Sequence, residues 1–174
     1  KILGQKYREM RELWQHSYRT AFYAYNLAKS FRRRKEILDD VYVGGILHDL
    51  GKIILASLHP DLLDRIRGFC REKEIPSNML ENFAAGMNHA EVGALIAEKW
   101  NFPDQLIDAI RFHHSPLECR EQNRDIVFSV YLANALTDLE REMILFEQMD
   151  RWVLGDFGIQ SEEQLARIQQ RLAG

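Results

Sequence analysis

Five of the six histidines in this chain, His16, His48, His89, His113 and His114, lie on or beside apolar helical stretches, and Asp49 follows His48 directly. The sixth, His59, stands next to Pro60 and reads as a plain loop residue. The run "GGILHDLGKIIL" from Gly44 to Leu55 shows the problem most sharply, because His48, Asp49 and Lys52 interrupt a sequence otherwise suited to a core. A neutral polar group taken out of water without a partner costs on the order of 2 to 7 kcal/mol, and a charge costs more. One such histidine is ordinarily a satisfied core residue. Several imidazoles and a carboxylate directed into one bundle call for a common partner. Their nitrogen and oxygen donors suit Mn, Fe, Zn, Ni or Co rather than calcium. Successive residues on a helix point about 100° apart, so His48 and Asp49 cannot face each other but can converge on an ion between them. A carboxylate bridging two ions would make Asp49 part of a two-metal site about 3.5 to 4 Å across. Lys52, one turn from His48, has two readings: it neutralises a phosphate oxygen, or it forms a salt bridge with Asp49 or a neighbouring acid.

The elements that must position these residues are helices. Four prolines and ten glycines fall mostly between or at the edges of periodic segments, and no strand signal stands out. From about Tyr7 to Phe31, the residues Leu13, Ser17, Ala21, Ala24, Ala28 and Phe31 mark one helical face, with His16, Thr20, Tyr23 and Leu27 on the neighbouring stripe. A second helix is expected from Glu36 to Leu50, broken or bent at Gly51 before "KIILASL" runs on to Pro60. Gly44 and Gly45 inside it cost about 1 kcal/mol each relative to alanine, a cost that close helix packing explains. Asp61 to Lys73 reads as a short helix, and Pro76 begins another. Asn88 followed by Glu91 fits a capping box that places His89 in a first turn, where the helix dipole favours a neutral, ligating ring. Pro103 suits the first position of the next helix, whose Leu106, Ile107 and Ile110 point the same way as His113 and His114; Pro116 ends it. From Arg124 to about Glu140, Val127, Val130, Tyr131 and Asn134 share a face, so an amide interrupts an apolar stripe. After Met143, "LGDFGI" reads as a turn, and Ser161 with Gln164 caps a last short helix. Trp14, Trp100 and Phe112 at helical spacing are expected in the core.

Bulk properties narrow the class. The chain has 174 residues, enough for one domain with a real core, and a net charge of −3 from 23 basic and 26 acidic residues. That balance argues against nucleic-acid binding, and "FRRRK" at Phe31 to Lys35 reads as a solvated helix end. Cys70 and Cys119 form no CxxC pair, which speaks against a disulfide framework or a cysteine zinc site and for a reducing cytoplasm. No apolar stretch approaches the roughly 20 residues needed to span a bilayer. The start at Lys1 rather than methionine suggests a processed chain or part of a longer one.

Taken together, "HSYRTA", "GGILHDLGKIIL", "NHAEVGALIAEKWNFP" and "AIRFHHSP" resemble the HDOD family, the HD-related output domains of bacterial signalling proteins, from about Leu13 to Asn134. The resemblance implies an all-α, compact HD-type helical bundle over residues 1–174, a single domain with a C-terminal helical extension over 143–174 packed on it. The family's further helical segment ahead of this part would be missing. It also implies metal ligands at His16, His48, Asp49 and a late aspartate, with His89, His113 and His114 completing a second site in two-metal relatives. The late aspartate is Asn134 in "VYLANAL", which marks it as a weak or degenerate ligand, and Asp138 one turn on could assist through water. Relatives that hydrolyse cyclic di-GMP follow the paired histidines with Gly-Tyr-Pro, where this chain reads "HHSPLECREQNRD", so that activity is disfavoured. The function implied is a cytoplasmic output or regulatory module acting through a signalling protein partner or an adjacent sensor or receiver domain, with no nucleic acid and no membrane. It keeps a scaffold for one or two divalent transition metal ions (Fe, Mn, Ni or Zn), with or without metal bound. The alternative is a two-metal phosphohydrolase acting on a phosphorylated small molecule or nucleotide, in which Asp49 and Lys52 would be catalytic or phosphate-binding.

Overall fold

The computed structural model describes residues 2–31, 33, 35–58, 68–69, 72–73 and 87–173, and among them it is helical with no strand. The elements are α1 (Ile2–Ser30), α2 (Leu38–Leu47), α3 (Leu50–Leu58), α4 (His89–Lys99), α5 (Asp104–Phe112), α6 (Arg124–Glu140), α7 (Arg151–Asp156) and α8 (Glu162–Ala173). Short 3-10 turns at Lys35–Ile37, Pro116–Glu118, Glu121–Asn123 and Phe146–Gln148 join some of them. The expectations for His59, Cys70, most of Asp61–Lys73 and the helix from Pro76 lie outside the described residues.

α2 is the hub, packed against α1, α5 and α6, while α3 packs on α4 and α4 on α5. Small residues make this possible. A Cβ at Gly45 would lie 2.5 Å from Ala21 Cα, so α2 meets α1 almost backbone to backbone, and one at Gly44 would lie 3.2 Å from the Ala109 Cβ on α5. On α1 both stripes are buried: Ser17, Ala21, Ala24 and Ala28 on one, His16, Thr20, Tyr23 and Leu27 on the other. The main core joins Tyr23, Leu27, Val41, Val130 and Leu136 to Met149, Val153, Phe157, Leu165 and Leu172 from the last third of the chain. Burial of such side chains, worth roughly 1.5 to 3 kcal/mol each, holds α7 and α8 on α1 and α6.

Several sequence expectations are corrected. The break between α2 and α3 falls at His48–Asp49, not at Gly51. The Lys52 N–H turns back to the Asp49 carbonyl, and Gly51 sits inside α3. Gly51 is small for another reason: a Cβ there would fall 1.8 Å from the His89 carbonyl oxygen, so α3 crosses the start of α4 at backbone contact. Pro103 precedes α5 as its cap, with ψ 142°, rather than opening it. α5 ends at Phe112, before Pro116. Within "LGDFGI" the turn is confined to Phe157–Gly158, with Gly158 at φ 65°, while Leu154, Gly155 and Asp156 close α7. Trp14 and Trp100 are 55 % and 56 % exposed, not core. Trp14 belongs to a row, Met10, Trp14, Tyr18 and Phe22, exposed along the outer side of α1 at intervals of four. Arg33 is not a solvated helix end: it pairs with Asp125 at 2.8 Å and with Asp156, and stacks over the Phe157 ring.

Glycine substitutions separate the two roles. Gly51→Ala forces overlap with backbone, and overpacking of this kind costs about 1 to 3 kcal/mol or more. Gly155 meets nothing within 4 Å of a built Cβ, and alanine there removes a helix-interior glycine, worth up to about 1 kcal/mol. Thermal unfolding is expected to show a lower midpoint for Gly51→Ala and an unchanged or higher one for Gly155→Ala.

Candidate metal centre

Chain breaks and helix ends deliver every side chain of the cluster except His16 and Asn134. His48 caps the end of α2, and Asp49 occupies the turn before α3. His89 is the first residue of α4, held there by a complete capping box in which the Asn88 side chain accepts the Glu91 N–H at 3.0 Å and the Glu91 carboxylate accepts the Asn88 N–H at 3.1 Å. His113 caps the end of α5 and His114 follows it. His16 projects from the middle of α1 and Asn134 from the middle of α6.

Asp49 is the centre, 2 % exposed. Its Oδ2 lies 3.4 Å from His48 Nε2 and 3.6 Å from His16 Nε2, and accepts a hydrogen bond from Lys52 Nζ at 2.7 Å. Its Oδ1 lies 3.3 Å from His89 Nε2 and 3.7 Å from His113 Nε2, and among the described residues it has no hydrogen-bond partner. The two oxygens thus face two separate groups. In the first, His16 Nε2 stands 3.2 Å from His48 Nε2 and 2.9 Å from Asn134 Oδ1. In the second, His89 Nε2 stands 3.3 Å from His113 Nε2 and 3.1 Å from His114 Nε2. Within each trio, His16–His48–Asp49 and His89–His113–His114, the donor atoms lie within 4.8 Å of one another, near enough to share an ion.

Ring orientation comes from the helix ends. The last carbonyls of a helix lack intrahelical partners. His48 Nδ1–H donates to one of them, Gly45 O, at 2.8 Å, and His113 Nδ1–H donates to another, Ile110 O, at 2.7 Å. With the proton on Nδ1, each neutral ring turns a bare Nε2 lone pair into the cluster, the arrangement in which imidazole ligates a metal. These carbonyls were not singled out from the sequence, although a histidine immediately past a helix end is the signal for them.

Burial keeps the His16, His48 and His113 rings neutral. It pushes His16 from 6.5 down to about 3, with His48 adding to the effect, and it lowers His48 and His113 as well. Burial opposes ionisation of Asp49, yet the neighbouring imidazoles and the Lys52 ammonium outweigh it and hold the carboxyl well below its ordinary range. Asp138, on α6, is pushed up from 3.8 to about 6 by burial, reinforced by Asp49. The donor set therefore fits a divalent transition metal: neutral imidazoles aimed inward, one ionised carboxylate between them, and a buried carboxylate oxygen without a partner. All six residues expected at a metal site converge here, and so do Lys52 and Asn134. His114 differs from the rest in being exposed, so the second group opens toward the surface.

With this geometry in place, comparison with known proteins gives the class. Residues 2–116 match the HDOD domain family, and the chain belongs to that family. Over 164 residues it is 34 % identical to an uncharacterized protein of Treponema pallidum (strain Nichols), covering 94 % of this chain and 32 % of that protein. Among solved structures, it is similar to a candidate signal transduction protein of Marinobacter aquaeolei VT8 at 24 % identity, with TM-score 0.75 and 92 % and 37 % of the two chains covered. It is also similar to an HDOD domain protein of unknown function from Geobacter sulfurreducens at 20 % identity, with TM-score 0.70 and coverages of 92 % and 61 %. A candidate phosphohydrolase of Shewanella amazonensis SB2B is 23 % identical, with TM-score 0.69 and coverages of 93 % and 58 %. At these identities the structural likeness shows the fold. The chain spans about a third of the length of the curated relative it matches.

The lowered histidines set the pH response of the metal-free protein. A ring that titrates at 6.5 unfolded and at about 3 folded leaves the unfolded chain holding more protons between those values. Stability is then full above about pH 6.5 and is lost as the pH falls through that window. The lowered Asp49 acts in the same direction below 3.8. Asp138 opposes it, contributing stability below 3.8 that is lost as the pH rises through about 6, but it is one group against three histidines. Chelator-treated protein is therefore expected to melt at a lower temperature at about pH 5 than at about pH 7; an equal or higher midpoint at pH 5 contradicts the neutral-ring assignment.

Proposed function

We propose that this chain is a signal-transduction output module that keeps an HD-type metal centre and acts through contacts with a signalling protein or an adjacent sensor or receiver domain, in the cytoplasm. His16, His48 and Asp49, with Asn134 as a weak fourth donor, would hold one divalent transition metal ion. His89, His113, His114 and the other Asp49 oxygen would hold a second. The observation that carries the regulatory over the catalytic reading is Asn134. Its amide oxygen sits 2.9 Å from His16 Nε2, in the place where the resemblance leads one to expect a carboxylate. Among the described residues Asp49 is then the one anionic side chain placed to touch an ion in either group, and two divalent ions beside one carboxylate are poorly neutralised. Among the described residues no helix is long and apolar enough to cross a membrane, in keeping with such a module.

A phosphohydrolase is the second reading, favoured by the bridging position of Asp49 and by Lys52 at 2.7 Å from it. In such an enzyme the ions would lower the pKa of a bound water and offset charge on a phosphoester. The chain's own part would be to keep the histidines neutral and oriented, and to place the Lys52 ammonium beside the anion. In the structure that ammonium is already engaged by Asp49.

Metal analysis and turnover assays on untagged protein test both readings. The proposal expects up to two bound Fe, Mn, Ni or Zn ions, no turnover of phosphodiesters or nucleotides with Mn, Fe or Ni, and tighter metal binding in Asn134→Asp. Asp49→Ala is expected to lose both ions, because its two oxygens serve both groups, while His89→Ala loses one. Protein that stays empty on reconstitution refutes the metal centre. Turnover by the wild type that Asp49→Ala abolishes refutes the non-catalytic reading.

A further inference from the structure

The histidines of the cluster are not all held in the same way. His48 and His113 stand at helix ends, where free carbonyls take their Nδ1–H groups. His16 stands inside α1, where the carbonyls are already committed to the helix. Its Nδ1 is buried and among the described residues has no hydrogen-bond partner. Facing that nitrogen, 3.7 Å away, is Asp138 Oδ1. The other oxygen, Oδ2, accepts the Asn134 Nδ2–H at 3.4 Å, since residues 134 and 138 are one turn apart on α6. One carboxylate thus stands behind two residues of the first group.

We propose that Asp138 is a positioning residue for that group: it accepts the His16 Nδ1–H when His16 Nε2 engages a divalent transition metal ion, and it keeps the Asn134 carbonyl oxygen turned toward the ion. The inference rests on the metal-centre reading above. A neutral imidazole carries one proton, so a ring that ligates through Nε2 must carry that proton on Nδ1. A buried donor left unpaired costs about 1 to 3 kcal/mol. Among the described residues Asp138 is the acceptor placed to meet it, and a closure of under about 1 Å brings the pair to hydrogen-bond distance. Asn134 follows the same logic. Turned over, its amide would set NH2 against His16 Nε2 and its oxygen against Asp138 Oδ2, two acceptors facing each other. Part of the negative charge missing at position 134 thereby acts from one turn further along, through a histidine and an amide, while Asp49 stays the carboxylate that would touch the ion.

Asp138→Asn preserves shape and removes the charge. The stripped full chain is titrated with Co(II), followed by calorimetry and visible absorption. In the wild type two ions are expected to bind. In Asp138→Asn one of them should bind about 10- to 100-fold more weakly with an altered absorption band, while the other keeps its affinity. The metal-free variant should melt no lower than the metal-free wild type at neutral pH, so that weaker binding is not a loss of fold, and Asp138→Glu should restore part of the lost affinity. In the zinc-loaded wild type a His16 Nδ1–H resonance should appear far downfield, and it should move upfield or vanish in the variant. Asp138→Ser serves the same comparison if the asparagine variant does not fold. Two ions bound by Asp138→Asn with wild-type affinity overturn the positioning role alone. A wild type that binds no ion overturns the metal-centre reading and this inference with it.

Discussion

A carboxylate that is 2 % exposed and ionised is the constraint on which this structure turns. An isolated buried anion is so costly that a protein ordinarily neutralises it by protonation, and Asp49 escapes that outcome only because its surroundings are built for it. Lys52 lies one turn away on α3 and, among the described residues, supplies the full positive charge in contact with it. The imidazoles of His16, His48 and His113 supply polar edges without adding charge, because burial keeps them neutral. The helix ends then turn those edges inward through the carbonyls of Gly45 and Ile110. Remove the anion and there is no reason for so many imidazole rings to share one interior.

Such crowding requires backbones closer than ordinary side chains allow. Gly45 lets α2 touch α1 at Ala21, and Gly51 lets α3 touch the first residue of α4. These contacts set the spacing of His16, His48 and His89 before any side chain has chosen a rotamer. The positions are fixed by main chain, the part of a protein least able to drift. The capping box at Asn88 and Glu91 serves the same end by pinning the start of α4, and with it His89.

Much of this was legible in the sequence because it obeys local rules. The capping box, the extent of α6 and the buried stripes of α1 follow from cap chemistry and periodicity, and the histidine constellation follows from the cost of burying polar groups. Other features depend on what lies across space. Gly51 looks like a helix breaker because glycine commonly is one, yet the chain turns two residues earlier. There the His48 ring satisfies a terminal carbonyl, and Gly51 is needed for a contact with a helix about 40 positions away. Trp14 has helical spacing with other apolar residues, but α1 carries apolar side chains on its outer side as well as its inner ones, and periodicity alone does not say which side meets the bundle. Arg33 sits in a basic run whose partners, Asp125 and Asp156, come from far along the chain. His114 is adjacent to a fully buried histidine and yet exposed, because α5 has already ended and the chain is turning away.

The division of Asp49 between two histidine groups has a thermodynamic corollary. Its oxygens belong to one delocalised anion, so a positive charge taken up beside Oδ2, near His16 and His48, lowers the negative charge that Oδ1 presents to His89 and His113. The groups are therefore joined by a coupling free energy, and such coupling is reciprocal by necessity. A change of charge felt on the α1 side is registered at the start of α4 and the end of α5, and the reverse holds equally, without any helix having to shift.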